Sequence, residues 1–247
     1  MPFTASHPAI ILPLLKRGMF SVSGLIMGSM IPDFEFFIRL EAKGPHGHTF
    51  WGIFWMNIPV ALLCLTLFHV VVRNQLILNL PDYFKKRFEI FLDFNWISYV
   101  KGNFFRVIFS ILIGNFSHLL WDSFTHFDGF FVTRISFFNI KIGPIPLYHI
   151  LQYAFSLIGA IAILKFISKM HTYEIKNYKP IKNMMLYWFL VIAIMVLIYI
   201  VRYDVDDFKE FGARIVILCA GFLAGLIIIS ILYKIISSKN NFTLIKE

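Results

Sequence analysis

Five apolar runs stand out along the chain, at residues 52–72, 104–124, 147–167, 184–201 and 213–236. A helix needs about 20 apolar residues to cross the hydrocarbon core of a bilayer, so each run predicts one membrane span. Ahead of them the pattern changes. Residues 8–15 and 22–31 are short apolar pieces split by Lys16-Arg17-Gly18. They predict two short helices, re-entrant or interfacial, with a single interrupted span as the alternative. Pro32 is expected to end the second piece. The predicted fold class is all-α: a polytopic membrane helix bundle with about five full transmembrane helices plus one or two short N-terminal helices. With no internal repeat and no low-complexity linker, residues 1–247 read as a single integral membrane domain.

The polar residues between the runs set the expected orientation. Arg73, Lys85, Lys86, Arg87 and Lys101 lie between the first and second runs. Lys165, Lys169, Lys176, Lys179 and Lys182 surround the third-to-fourth connection, and the tail carries Lys234, Lys239 and Lys246. The second-to-third loop has only Arg134 and Lys141, while the fourth-to-fifth loop is acidic, with Asp204, Asp206, Asp207 and Glu210. Basic loops stay on the cytoplasmic side. The expectation is a multi-pass protein of the cytoplasmic (inner) membrane with its C-terminus inside. The start of the first span and the end of the second then share the outer face.

Composition agrees. With 58% hydrophobic and 15% charged residues and a mean hydropathy of +0.73, an ordinary water-soluble domain is excluded. The 29 Phe, 10 Tyr and 5 Trp suit lipid contact and interfacial anchoring. The basic loops account for the net charge of +9, so the expected partner is the lipid bilayer and not nucleic acid. Cys64 and Cys219 both fall within spans, which predicts no disulfide framework. The N-terminus does not read as a cleavable signal peptide, because no basic region precedes its apolar stretch and Lys16-Arg17 interrupts it.

The candidate chemistry lies in four polar blocks: Ser6-His7-Pro8, Ile31-Pro-Asp-Phe-Glu35, His46-Gly-His-Thr49, and Ser117-His-Leu-Leu-Trp-Asp-Ser-Phe-Thr-His126. His118, Asp122 and His126 are spaced four apart. On a helix such steps turn about 400° each, so the three side chains would share a stripe roughly 80° wide. Ionisable groups inside a membrane are costly and face a protein interior or a wet cavity. Imidazoles and carboxylates suit zinc, manganese or iron, and the cysteine positions exclude a thiolate site. Each residue also has a plainer reading. His118 and Asp122 can be a hydrogen-bonded packing pair, His126 a solvated helix end, Asp33 a helix cap and His7 an exposed cap. Of the His46/His48 pair, His48 is the expected ligand and His46 a supporting residue. Glu35 stands open between supporting the site and facing solvent, His149 is a lesser candidate at similar depth, and His69 and His171 are expected elsewhere.

These blocks carry a resemblance. Ser6-His7-Pro8-Ala9, Gly28-Ser-Met-Ile-Pro-Asp-Phe34, His48-Thr49 with Gly52, and Ser117 through Gly129 followed by Pro146-Leu-Tyr148 resemble the bacterial multi-pass membrane family catalogued as domain of unknown function 4184. The likeness covers about residues 1–160, a metal-site core, and weakens over residues 161–247, the additional transmembrane helices. The order of blocks is also similar to the YdjM-like inner-membrane metal-dependent hydrolases. Those carry an early Gly-His, a Pro-Asp-x-Asp, a His-Ser and a Ser-His-x-x-x-Asp. The resemblance implies His7, Asp33, His48, His118 and Asp122 as site residues. This chain has Glu35 where the relatives carry a second Asp and Thr49 where they carry Ser.

Together these readings predict a membrane-embedded, metal-dependent hydrolase working at the outer face. His7, Asp33, His48, His118, Asp122 and His126 are the expected ligands of one or two divalent ions, most simply zinc. Asp33 is a candidate bridge or general base, and His126 a further ligand or a proton shuttle. A site at headgroup depth points to a lipid-like phosphoester substrate. The rivals are a non-enzymatic ion or metal transporter and a bundle with a structural metal site.

Overall fold

The computed structural model describes residues 3–174, 184–202 and 211–243, with side chains of the last segment from residue 212 to residue 236. The positions of Lys176, Lys179, Lys182, Asp204, Asp206, Asp207, Glu210 and Lys246, and the side chain of Lys239, lie outside what is described. The fold is all-α, a polytopic membrane bundle, with one two-residue ribbon pairing Lys141–Ile142 with Ile145–Pro146. Five helices are long and apolar enough to cross a membrane: Phe50–Leu78, Trp96–Asp122, Leu147–Ser168, Met184–Val201 and Gly212–Ile236.

Two spans are longer than their apolar runs, for identifiable reasons. The first continues past Val72 to Leu78 through two π-helical stretches, Ile53–Asn57 and Phe68–Val72. Arg73, which ends the apolar run, is buried because its guanidinium donates to the carbonyls of Phe94 at 2.7 Å and Leu92 at 3.3 Å. The second span begins at Trp96 and not at residue 104. It crosses a kink at Asn103 (φ −135°, ψ 25°), directly after the polar Lys101-Gly102 that interrupts the apolar pattern. Its C-terminal limit is Asp122, two residues short of the expected end.

The N-terminal pieces form separate short helices, as two and not as one interrupted span. Pro8–Ile11 is the first, and Gly18 (φ +62°) turns the chain in a conformation that glycine adopts without strain. The second, Val22–Gly28, starts on Ser21, whose hydroxyl accepts from the Gly24 amide at 3.2 Å. It stops at Gly28, before Pro32, which instead opens a 3₁₀ turn over Ile31–Asp33.

The residues form two compact units: Met1–Glu35 with Gly44–Leu63 and Val100–Lys169, and Phe36–Lys43 with Cys64–Tyr99 and Met170–Glu247. In the first, Val22–Gly28 lies directly against the second span. A Cβ at Gly28 would sit 2.3 Å from the Ile111 carbonyl oxygen, and one at Gly114 would sit 2.4 Å from that of Leu25. The Ser21 amide also donates to Ser110 Oγ at 2.8 Å. Small residues let helix backbones approach this closely in membranes. In the second unit the fourth and fifth spans pack in the same way, with Gly225 against Val191. Its core joins Val72, Tyr187, Val191, Leu226, Ile229 and Tyr233.

Substituting Gly28 by valine forces these backbones apart and is expected to cost about 1–3 kcal/mol, as overpacking does. Gly102, with open space around its Cβ position, provides the control. Thermal unfolding in detergent, followed by tryptophan fluorescence, should show a lowered midpoint for Gly28→Val and an unchanged one for Gly102→Ala.

Candidate metal centre

Six side chains from four stretches of sequence meet in the first unit. The histidine nearest the N-terminus arrives on a segment fastened to the third span. Ser6 Oγ donates to the Ser156 carbonyl at 2.7 Å, and the Phe3 amide donates to Ser156 Oγ at 3.0 Å. Gly159 leaves room for this approach, since a Cβ there would lie 2.9 Å from the Ser6 carbonyl oxygen. Thr4 then links two site residues. Its carbonyl lies 3.3 Å from His7 Nδ1, and its hydroxyl donates to Asp33 Oδ2 at 2.6 Å.

His118 is oriented by the short helix packed beside it. Its Nδ1 lies 2.9 Å from the Ser29 carbonyl, at the end of Val22–Gly28. A carbonyl can only accept, so Nδ1 carries the hydrogen in both His7 and His118. In both rings Nε2 faces Asp122 and is the nitrogen that can give up its hydrogen to a metal, as metal-binding imidazoles do.

The loop bearing His48 is held from below by a carboxylate. Glu35, buried, accepts from the amides of His46 at 2.9 Å and Gly47 at 2.6 Å. Asn57 Nδ2 donates to the Gly47 carbonyl at 2.8 Å. Thr49 caps the first span, its hydroxyl accepting from the Gly52 amide at 3.0 Å and donating to the His46 carbonyl at 2.8 Å. A hydroxyl is what position 49 requires, which serine would also provide. Glu35 and Thr49 are thus supports of the loop.

The ligating atoms face one another. Asp33, His48, His118 and Asp122 each offer one such atom, all within 4.8 Å of one another. Asp122 Oδ2 is 3.1 Å from His118 Nε2 and 3.5 Å from His48 Nε2, and Asp33 Oδ1 is 3.4 Å from His48 Nε2 and 3.7 Å from His118 Nε2. The two Nε2 atoms are 3.3 Å apart. Ligands about 2.0–2.1 Å from a zinc stand about 3.3–3.4 Å from one another in a tetrahedron; these five separations lie near that value, and the two carboxylate oxygens are within 4.8 Å of each other. On the other carboxylate oxygen, Asp122 Oδ1 is 3.2 Å from His7 Nε2 and 3.3 Å from His126 Nδ1.

The electrostatics favour a cation. Burial opposes ionisation of Asp33, but His118 and His48 outweigh it and hold the carboxyl below its usual range. Burial likewise opposes charge on His48, and hydrogen bonds to Asp122 and Asp33 override it, pushing its pKa up to about 10. Burial holds His126 below the ordinary imidazole value against the pull of Asp122, which leaves it neutral at neutral pH. His48, with 30% of its side chain exposed, is the most open member of the cluster, whereas His7, Asp33 and His118 are at 1%, 3% and 0%.

His126 reaches the site by a different route from the one its spacing implies. The helix stops at Asp122, and the amides of Thr125 and His126 both turn back to the Asp122 carbonyl at 3.1 Å. The chain then doubles over, with the Phe131 amide bonding the Ser123 carbonyl at 3.1 Å and Gly129 against the same oxygen. A tight turn, and not a helical stripe, carries His126 to Asp122. Its Nε2 meets Gln152 Nε2 at 3.3 Å, near the start of the third span. Of the remaining histidines, His46 packs edge-on against Trp55, His149 lies against Tyr148 and Tyr153, and His171 against Tyr173. His69 belongs to the second unit, stacked 4.6 Å from Trp96.

Sequence reasoning missed Thr4, the Ser29 carbonyl, Ser156 and Gln152. The last two carried a signal, as polar residues inside an apolar span. A backbone carbonyl carries none.

Two outcomes follow from this arrangement. Truncating Glu35 to alanine strips the acceptor from two loop amides and should weaken zinc binding by about 10–100-fold, as loss of an outer-shell partner does. Competition with a fluorescent chelator would measure it. A divalent ion entering the cluster would displace the proton that the carboxylates hold on His48 below a pH of about 10. Apparent zinc affinity should therefore rise about tenfold per pH unit between about pH 6 and 8. Isothermal titration in two buffers would also detect the released proton.

Among curated proteins and solved structures no match is found. One family model matches, over residues 1–235, further along the chain than the 160 residues that hold the motifs. The chain belongs to the family described as domain of unknown function (DUF4184).

Proposed function

We propose that the protein is a metal-dependent hydrolase of the cytoplasmic membrane, acting on a lipid-like phosphoester at the outer face. The convergence of Asp33, His48, His118 and Asp122 on one point, opening towards His48, carries this reading. A divalent ion bound there, most simply zinc, supplies Lewis acidity and lowers the pKa of water towards about 7. The protein's own groups do the rest. His7 and His118 are fixed by backbone carbonyls, so their Nε2 atoms need no reorganisation to bind. Asp33, held deprotonated and anchored by Thr4 through Oδ2, keeps a charged Oδ1 aimed at the ion's position. His126, neutral and linked to Gln152, is a further ligand or the shuttle that takes up the proton of the attacking water and passes it to the leaving group.

The substrate class follows from position. The site lies at the start of the first span and the end of the second, beside exposed Phe50, Trp51, Phe127 and Phe130. Trp at such a position marks the headgroup level of a membrane, and the exposed Phe residues beside it suit lipid contact. The basic loops, by the positive-inside rule, put the C-terminus in the cytoplasm and this end of the spans outside. The similarity of the motif order to YdjM-like hydrolases adds to the reading. Against a transporter stands the confinement of the described buried carboxylates and histidines of this unit to one end of its spans.

One observation favours a second reading. Four protein ligands close a tetrahedral site, as in a structural metal staple, whereas catalytic zinc keeps a place open. Two measurements separate these. Purified protein should contain stoichiometric zinc that Asp122→Ala and His118→Ala both lose. The metallated protein should cleave a phosphodiester lipid in mixed micelles, and His126→Ala should retain the ion held by Asp33, His48, His118 and Asp122 while losing at least about 100-fold in rate. Zinc without any phosphodiesterase or lipase activity would leave only the staple.

A further inference from the structure

Asp122 uses its two oxygens for two different sets of histidines. Oδ2 faces His118 and His48, which with Asp33 complete the four-residue cluster. Oδ1 faces His7 at 3.2 Å and His126 at 3.3 Å, neither of which belongs to that cluster. The rings of His7 and His118 are stacked, 3.9 Å between centroids and 15° from parallel. Each ring gives its Nδ1 hydrogen to a backbone carbonyl, Thr4 for one and Ser29 for the other. Two parallel imidazoles therefore turn their Nε2 atoms, side by side, to the two oxygens of one carboxylate.

A single ion needs only Oδ2 of Asp122. His7 is 1% exposed and shares the tautomer of a ligand, yet it points at the oxygen that the first ion does not need. Two-metal hydrolytic sites hold their ions about 3.5–4 Å apart, the spacing of these stacked rings. From this geometry we infer that the centre is dinuclear. Asp122 bridges the ions through its two oxygens, with Asp33, His48 and His118 holding the first and His7 and His126 the second.

The assignment rests on the metal-centre reading above and resolves its difficulty. The first ion takes four protein ligands and is closed. The second takes three (His7, Asp122 and His126), which leaves coordination places for a phosphoester oxygen or water. When His126 binds through Nδ1, its Nε2 carries the hydrogen, so the Gln152 amide must turn to present its oxygen instead of the nitrogen now at 3.3 Å. The bridging role falls to Asp122 and not to Asp33, one of whose oxygens is occupied by the Thr4 hydroxyl.

The test counts ions. Full-length protein in detergent is loaded with manganese, freed of excess metal and analysed by mass spectrometry for ions per chain and by electron paramagnetic resonance for spin coupling. Two ions per chain with a coupled spectrum are expected. His7→Ala and His126→Ala should each fall to one uncoupled ion, while His149→Ala, remote from these contacts, keeps two. One uncoupled ion in the wild type overturns the second site and leaves the hydrolase reading standing. No bound ion overturns both. Two ions retained by His7→Ala overturn the ligand assignment. Should a histidine variant fail to fold, the wild-type count and coupling decide alone.

Discussion

Two carboxylates buried within a few ångströms of one another, in an otherwise apolar unit, impose the constraint on which this structure turns. Neither Asp33 nor Asp122 can remain ionised there without positive charge or hydrogen bonds around it. Four imidazoles, one threonine hydroxyl and the demand for a cation answer that requirement. The N-terminal segment, the loop before the first span and the turn after the second exist, in physical terms, to bring those groups to the carboxylates.

Precision comes from backbone contacts. Val22–Gly28 can seat against the second span only because Gly28 and Gly114 have no side chains, and that seating puts the Ser29 carbonyl where His118 needs it. The same logic operates at the third span, where Gly159 admits Ser6 and so fixes His7. Each ring is thereby locked in one tautomer by main chain, which cannot swing away as a side-chain partner might. Glu35 does the corresponding work for His48, using a buried charge to hold two amides of a loop that would otherwise be free to open.

This design divides labour between the ends of the cluster. His7, Asp33 and His118 are sealed, whereas His48 borders the opening and His126 is tied to Gln152 on a separate span. For the hydrolase proposed above, the sealed side would fix ions and the accessible side would receive substrate. Exposed aromatic residues at the same span ends suit an amphiphilic molecule arriving from the lipid.

The five spans were legible in the sequence, because hydrocarbon thickness and backbone hydrogen bonding leave an apolar run of 18 or more residues no other outcome in a membrane. So was the identity of the clustered residues, since imidazoles and carboxylates are rare at membrane depth and recur here in compact blocks. Span limits were less legible at Arg73 and Asn103, where polar residues mimic an ending that tertiary carbonyl partners or a kink avert. Only the folded chain decided that His126 arrives by a turn, that Glu35 supports a loop, and that the oxygens of Asp122 serve separate histidines. Residue type is written into the chain, but the direction of a lone pair depends on which distant carbonyl claims the other ring nitrogen. Contacts across more than a hundred residues set that direction, and no local pattern encodes it.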